Sequence, residues 1–236
     1  MNRILVVLCL LATVPALCSV ALASNSSAIF AFTPGLGTPA TLVLNGVAFP
    51  PANFTGWYDD TGFHDPTNPN YIAGVCGSSD ACNGNDLNYH DFFVFQIPSG
   101  SYTSAVLRIY NPGIVAGDTN NGYICPCSSL TYTNWDVTTP DTVLEALNSG
   151  RTDIFDDLGS GVLYGSVVVT AASDGTYIDI SLDAAALAAI NAHAGDGNFA
   201  IGGAVNMVTT PEPGTLSLMG TGLLVGAGLI RRKLLV

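Results

Sequence analysis

Asp91-Phe92-Phe93-Val94-Phe95-Gln96-Ile97 and, beyond Pro98-Ser99-Gly100-Ser101-Tyr102-Thr103, Ser104-Ala105-Val106-Leu107-Arg108-Ile109-Tyr110 decide the fold class of this 236-residue chain. Successive side chains of a strand point to opposite faces. In the second run Ala105, Leu107 and Ile109 share one face and leave Val106, Arg108 and Tyr110 on the other, the alternation of a strand with one buried side. In the first run Phe93, Phe95 and Ile97 share a face, but Phe92 and Val94 opposite them are apolar too. That predicts a strand covered on both sides. Similar short runs, rich in β-branched and aromatic residues and separated by Gly, Pro, Asn and Asp, predict about eight strands in all. They fall at 40–49, 54–58, 91–97, 104–110, 129–136, 162–170, 177–182 and 198–205. Two short helices interrupt them: 142–148, with Asp141 as N-cap after Pro140, and 184–193, with Asp183 as N-cap, Leu187 and Ile190 on the buried face and Gly195 ending it. Many strands with short covering helices predict an all-β fold, a two-sheet β-sandwich of jelly-roll-like form.

Outward from this body, both ends of the chain change character. Residues 1–23 carry one early charge, Arg3, then an apolar stretch from Ile4 to Leu17, then Ala21-Leu22-Ala23: the pattern of a secretory signal peptide cleaved after Ala23. Leu17 before Cys18 is too large for a lipid-modification site. Residues 211–236 read Pro211-Glu212-Pro213, an uncharged apolar run from Gly214 to Ile230, then Arg231-Arg232-Lys233. As a helix the run reaches roughly 26 Å, just short of a bilayer core of about 30 Å, which predicts a transmembrane helix. Arg and Lys resist translocation, so the triplet stays in the cytoplasm and everything before the span lies outside.

The 24–210 body is long enough for one domain with a core of its own. Four of the six basic residues (Arg3, Arg231, Arg232, Lys233) and one of the eighteen acids (Glu212) belong to the terminal segments. Two basic side chains, Arg108 and Arg151, therefore face seventeen acids in the body, a formal charge of −15. A surface this acidic repels nucleic acid and anionic lipid and suits solubility or divalent cations. Cys76, Cys82, Cys125 and Cys127 remain after the signal is removed. An even number in an exported chain predicts two disulfides, paired either within the two loops or across them. The spacings, five residues between the first two and one between the last two, lack the knuckles of a structural zinc site.

The Pro-Glu-Pro tripeptide, short span and basic end, in that order, resemble the PEP-CTERM sorting signal of Gram-negative bacteria. The resemblance implies recognition of Pro211, Glu212, Pro213, Arg231, Arg232 and Lys233 as a sorting signal. It implies an exosortase, a membrane-embedded cysteine peptidase, that cuts near the tripeptide and passes the protein from the inner membrane to the cell surface or exopolysaccharide matrix. The strand order from Asp91 through Ser104–Tyr110, Trp135, Tyr177-Ile178-Asp179-Ile180 and Asn198-Phe199-Ala200-Ile201 is similar to the DNRLRE-type jelly roll of secreted bacterial proteins, a shape related to carbohydrate-binding modules. Asp156-Asp157-Leu158-Gly159-Ser160-Gly161 and Phe199-Ala200-Ile201-Gly202-Gly203 look like stretches common in the bodies of PEP-CTERM proteins.

Catalytic patterns are missing: no Gly-x-Ser-x-Gly elbow, no His-Glu-x-x-His and no phosphate-binding Gly-x-x-x-x-Gly-Lys. His64-Asp65 and His90-Asp91 are the His-Asp neighbours, and strand geometry sends His90 and Asp91 to opposite faces. Two groups of residues are candidates for binding. Asp80, Asn83, Asn85 and Asp86 place four oxygen-bearing side chains around Gly84, as a calcium loop does; Asp153, Asp156 and Asp157, then Asp59 and Asp60, are further candidates. Trp57 and Tyr58, followed by Asp59 and Asp60, with Tyr123, Tyr132 and Trp135 elsewhere, read either as core packing, the commoner use of such rings, or as a sugar-stacking platform. The sequence thus reads as a non-enzymatic structural protein of the surface or matrix. An exopolysaccharide-binding module is the alternative, and a calcium-dependent polysaccharide-active enzyme the third reading. Melting the exported protein with calcium and with chelator checks the 80–86 loop: a structural site raises the midpoint in calcium, and identical midpoints exclude one.

Overall fold

The computed structural model describes residues 28–32, 40–76, 87–111, 122–124 and 129–206. These are mostly β. One sheet holds β1 (Ala28–Phe32), β4 (Phe54–Asp59), β5 (Tyr71–Cys76), β6 (Leu87–Gln96), β8 (Gly122–Ile124), β9 (Leu130–Asp136), β10 (Leu163–Val169) and β12 (Asn198–Asn206). The other holds β2 (Thr41–Leu44), β3 (Val47–Pro51), β7 (Ala105–Asn111) and β11 (Thr176–Ser181), in the order β11-β7-β2-β3. Every pairing is antiparallel.

The phenylalanine-rich run is β6, and it is the strand on which the larger sheet converges. Asp91 is paired with Trp57 of β4 on one edge and Gly203 of β12 on the other; Tyr89 is paired with Asp59 of β4 and Gly74 of β5. Its two faces enter two cores. Phe93 and Phe95 pack with Leu42, Leu107, Ile180 and Ile201 between the two sheets. Phe92 and Val94 point the other way, into a second cluster with Tyr58, Leu144, Ile154, Phe155 and Leu158. The lid of that second cluster consists of α1 (Asp141–Leu144) and α2 (Thr152–Leu158). Truncating one buried Phe to Ala costs about 3–5 kcal/mol, against a domain stability of about 5–15 kcal/mol. Three buried phenylalanines on one strand make β6 a large contributor to that stability.

The expected alternation in β7 holds, with Ala105, Leu107 and Ile109 buried and their neighbours partly exposed. The helix expected near 184 is α3 (Ala184–Ala192): Asp183 accepts from the backbone N–H of Ala185 and Ala186, and Ile190 and Ala186 are buried. Three expectations change. The run 40–49 is not one strand but the β2–β3 hairpin, turning at Asn45 (φ 50°) and Gly46 (φ 79°), where a two-residue hairpin turn needs positive φ. Asn45 also accepts from Thr103 and Ser104, which ties the turn to the start of β7. The helix expected over 142–148 ends at Leu144, and Asp141 is its first residue rather than its cap. Beyond it, Asn148 bridges His64 through both backbone groups, and its side chain donates to Tyr58 Oη (2.6 Å) and to the Val143 carbonyl (2.7 Å). The third change is α2, whose acidic residues conceal an apolar stripe of Ile154, Phe155 and Leu158. Strands β1, β5 and β8 add to the expected set. The signal peptide, the expected transmembrane run and the Cys82, Cys125 and Cys127 positions lie outside the described residues, as does the Cys76 side chain.

A polar cluster sits inside the inter-sheet core. Tyr132 Oη donates to Asp91 Oδ1 (2.7 Å), and Asn134 Nδ2 donates to Tyr132 Oη (3.3 Å) and the Gly202 carbonyl (3.1 Å). Position 203 must be glycine, because a Cβ there would meet both Tyr132 Oη and Asp91 Oδ1. Burial holds the Asp91 carboxyl well above the ordinary carboxylate value of 3.8, partly offset by the Tyr132 hydrogen bond. Among the described residues Asp91 Oδ2 has no hydrogen-bond partner, so a charge there would be desolvated without compensation. The folded chain therefore keeps this proton to higher pH than the unfolded chain. The resulting contribution to stability is complete below 3.8 and is lost as pH rises toward the folded value. Asp91→Asn, uncharged and nearly the same shape, escapes that loss. Its melting midpoint should gain on the parent's as pH rises above 3.8; a gap independent of pH contradicts a neutral buried acid.

Candidate functional site

Three anchored segments meet beside the start of β12 and enclose a cleft of about 450 Å³, lined by 137, 139–141, 164, 189, 193 and 197–200. The first segment, 137–141, is held down by one carboxylate. Asp157 of α2 accepts from the backbone N–H of Thr138 (3.0 Å) and Thr139 (2.8 Å) and from both their hydroxyls. The second is the last turn of α3, pinned by Asn191. Its side chain accepts from the Tyr102 N–H (2.8 Å) and donates to the Tyr102 and Leu187 carbonyls (both 2.9 Å). The third is β12 itself, locked between β6 and β9, with Phe199 opposite Phe95. The Phe199 ring stacks on Tyr164 of β10, centroids 5.7 Å apart. Asp141, His193 and Asn198 bring a carboxylate, an imidazole and a carboxamide to this cleft, and none of the three side chains is engaged by a hydrogen bond among the described residues.

The residues singled out in the sequence go elsewhere. Trp57 and Tyr58 are 8% and 0% exposed, so they do not form a sugar platform on the surface. Trp57 packs edge-on to Tyr89 (5.3 Å), and Tyr58 donates to the Leu144 carbonyl (2.9 Å). Strand alternation did not apply to this segment because, like β6, it is covered on both faces. Asp59 closes its own turn, accepting from the N–H of Thr61 and of Phe63, and only Asp60 faces solvent. Asp157 is consumed by its clasp on 138–139, and Asp153 forms an ion pair with Arg151 (2.8 Å), so the carboxylates of α2 do not converge as calcium ligands. Among the described residues no three His, Cys, Asp or Glu side chains come together as a metal site. Tyr132 and Trp135 belong to β9, Tyr132 within the core. Asp80, Asn83, Asn85, Asp86, the Tyr123 side chain and the sorting residues 211–213 and 231–233 lie outside the described residues.

His90 and Asp91 do point to opposite faces: His90 stacks on Phe155 of α2 (3.9 Å) and bonds its carbonyl through Nδ1 (2.7 Å), away from the Asp91–Tyr132 pair. His64 is buried in an aromatic box. Its ring stacks on Tyr58 (4.9 Å), meets Phe92 and Trp57 edge-on, and donates from Nδ1 to the Trp57 carbonyl (2.8 Å). Its Nε2 has no partner among the described residues. Burial pushes both histidines below the ordinary value of 6.5, with the backbone hydrogen bonds opposing it.

Among proteins of known family, residues 209–233 match the PEP-CTERM protein-sorting motif. That segment contains both the Pro-Glu-Pro tripeptide and the Arg231-Arg232-Lys233 triplet. No curated protein and no solved structure matches the chain.

The buried histidines give the fold an acid limit. The unfolded chain takes up protons near 6.5 and the folded one resists them, so stability is full above that value and falls as pH drops through it toward the lowered folded values. His64→Gln should lower stability at pH 8 by about 2 kcal/mol, through lost ring packing, and should flatten the decline below 6.5. Thermal melts across this range check it; an unchanged slope would place the titration elsewhere.

Proposed function

We propose that the chain is an exported surface or extracellular-matrix protein with a structural, non-enzymatic body, delivered by its tail to an exosortase-like membrane peptidase. The observation that carries this reading is the match of residues 209–233 to the sorting motif. The physical sequence of events follows from charge and length. The amino-terminal signal takes the body across the inner membrane, the apolar run from 214 to 230 halts in the bilayer, and Arg231-Arg232-Lys233 stays on the cytoplasmic side. Pro211-Glu212-Pro213 is thereby held at the outer surface of the membrane, where a membrane-embedded peptidase can reach it.

The body suits the outside. The two sheets with their shared core support a β-sandwich of jelly-roll type, and four cysteines in an oxidising compartment favour two disulfides. Both basic residues of the body are paired, Arg108 with Asp179 (2.6 Å) and Arg151 with Asp153 (2.8 Å). As exposed pairs they add little to stability, but they leave the surface field to unpaired carboxylates, which keeps the protein soluble and off nucleic acid and anionic lipid.

Replacing Pro211, Glu212 and Pro213 by Ala in the native host tests the sorting step. The parent should leave the membrane fraction for the cell exterior. The variant should accumulate in the membrane at full length; release of the variant at the parent's rate overturns the reading.

A further inference from the structure

We infer that the cleft between 137–141, the end of α3 and the start of β12 binds a neutral saccharide unit. Its volume, about 450 Å³, falls within the range of roughly 300–1,000 Å³ typical of small-molecule sites. Its chemistry selects the ligand. Asp141 supplies an acceptor pair, Asn198 both a donor and an acceptor, and His193 a ring nitrogen of either kind, while Val137, Ala189 and Phe199 provide apolar wall. An apolar ligand would strip water from these three polar groups and return nothing. An anion meets the Asp141 carboxylate within a body of formal charge −15. A metal ion would find one carboxylate and one imidazole here, and no three His, Cys, Asp or Glu side chains cluster among the described residues. A sugar ring offers alternating hydroxyl donors and acceptors at its rim and C–H faces to the wall, and it carries no charge.

The site is also preorganised. Thr138 and Thr139, just before Asp141, are clamped by Asp157; the turn bearing His193 is pinned by Asn191 to Tyr102; Asn198 is paired with Gln96 of β6, at the start of a strand that β9 joins from Ile201 on. Little ordering remains to be done when a ligand arrives, so the interaction energy is retained as affinity. This assignment goes beyond the sorting reading and uses none of the tail residues, so either can fail without the other.

The full-length chain in a sugar-free detergent, titrated by calorimetry with glucose, galactose and mannose and their neutral trisaccharides, tests the site. A galacturonate trimer serves as the charged control. Saturable binding of at least one neutral probe is expected, with Asp141→Asn, His193→Ala and Asn198→Ala each weakening it about tenfold or more. Asp179→Asn, on the other sheet, should leave binding unchanged. Melting midpoints within error of the parent's show that the variants fold. Absence of saturable binding by every neutral probe overturns the assignment, as does tighter binding of the galacturonate trimer or parental affinity in all three cleft variants.

Discussion

Burial of β6 on both faces is the constraint on which the other features depend. A strand with Phe93 and Phe95 on one side and Phe92 and Val94 on the other cannot lie on the outside of a sandwich. The second sheet covers the first pair. The second pair requires another apolar cover, which the chain supplies with two short helices in the stretch between β9 and β10. Those helices are too short to be stable alone and are held by side chains that reach across the sequence: Tyr58 and Asn148 for α1, and His90 and Phe155 for α2. The segment leading into α1 then becomes one wall of the cleft, clasped by Asp157. A requirement set by phenylalanine spacing thus fixes the position of a polar site far along the chain.

The same strand explains where sequence reading succeeds and where it does not. Periodicity is legible where one face is wet, as in β7, and where a cap is local, as in Asp183 before α3. It is also legible in the doubled apolar pattern of β6. It loses power where both faces are buried: Trp57 and Tyr58 beside Asp59 and Asp60 allow a core and a surface reading alike, and burial decides for the core. It loses power again where one signal masks another. The carboxylates of α2 look like metal ligands, yet Asp157 is a backbone clasp and Asp153 an ion-pair partner. The Asn45-Gly46 turn was the clearest local signal in the chain, hidden by apolar residues continuing on both sides of it. Asp141, His193 and Asn198 carry no motif at all; only the return of β12 between β6 and β9 brings them together.

Polar groups inside this body are arranged to stay neutral. Burial shifts Asp91 toward its protonated form and His64 and His90 toward their neutral forms, in each case outweighing the hydrogen bonds that oppose it. Charge is displaced to the surface, where it is almost wholly negative. Half of the basic residues are concentrated in Arg231-Arg232-Lys233, inside the segment that matches the sorting motif. The tail was legible from sequence alone because the sorting motif it matches is a tripeptide, an apolar run and a basic end in linear order.

That linear logic makes the covalent ends of the exported protein the most direct test of the account. The intact mass of the protein recovered from the cell exterior of the native host should correspond to a chain that begins at Ser24 and ends near Pro211-Glu212-Pro213, with the apolar run and the basic triplet gone. A surface form that retains Arg231-Arg232-Lys233 would contradict it.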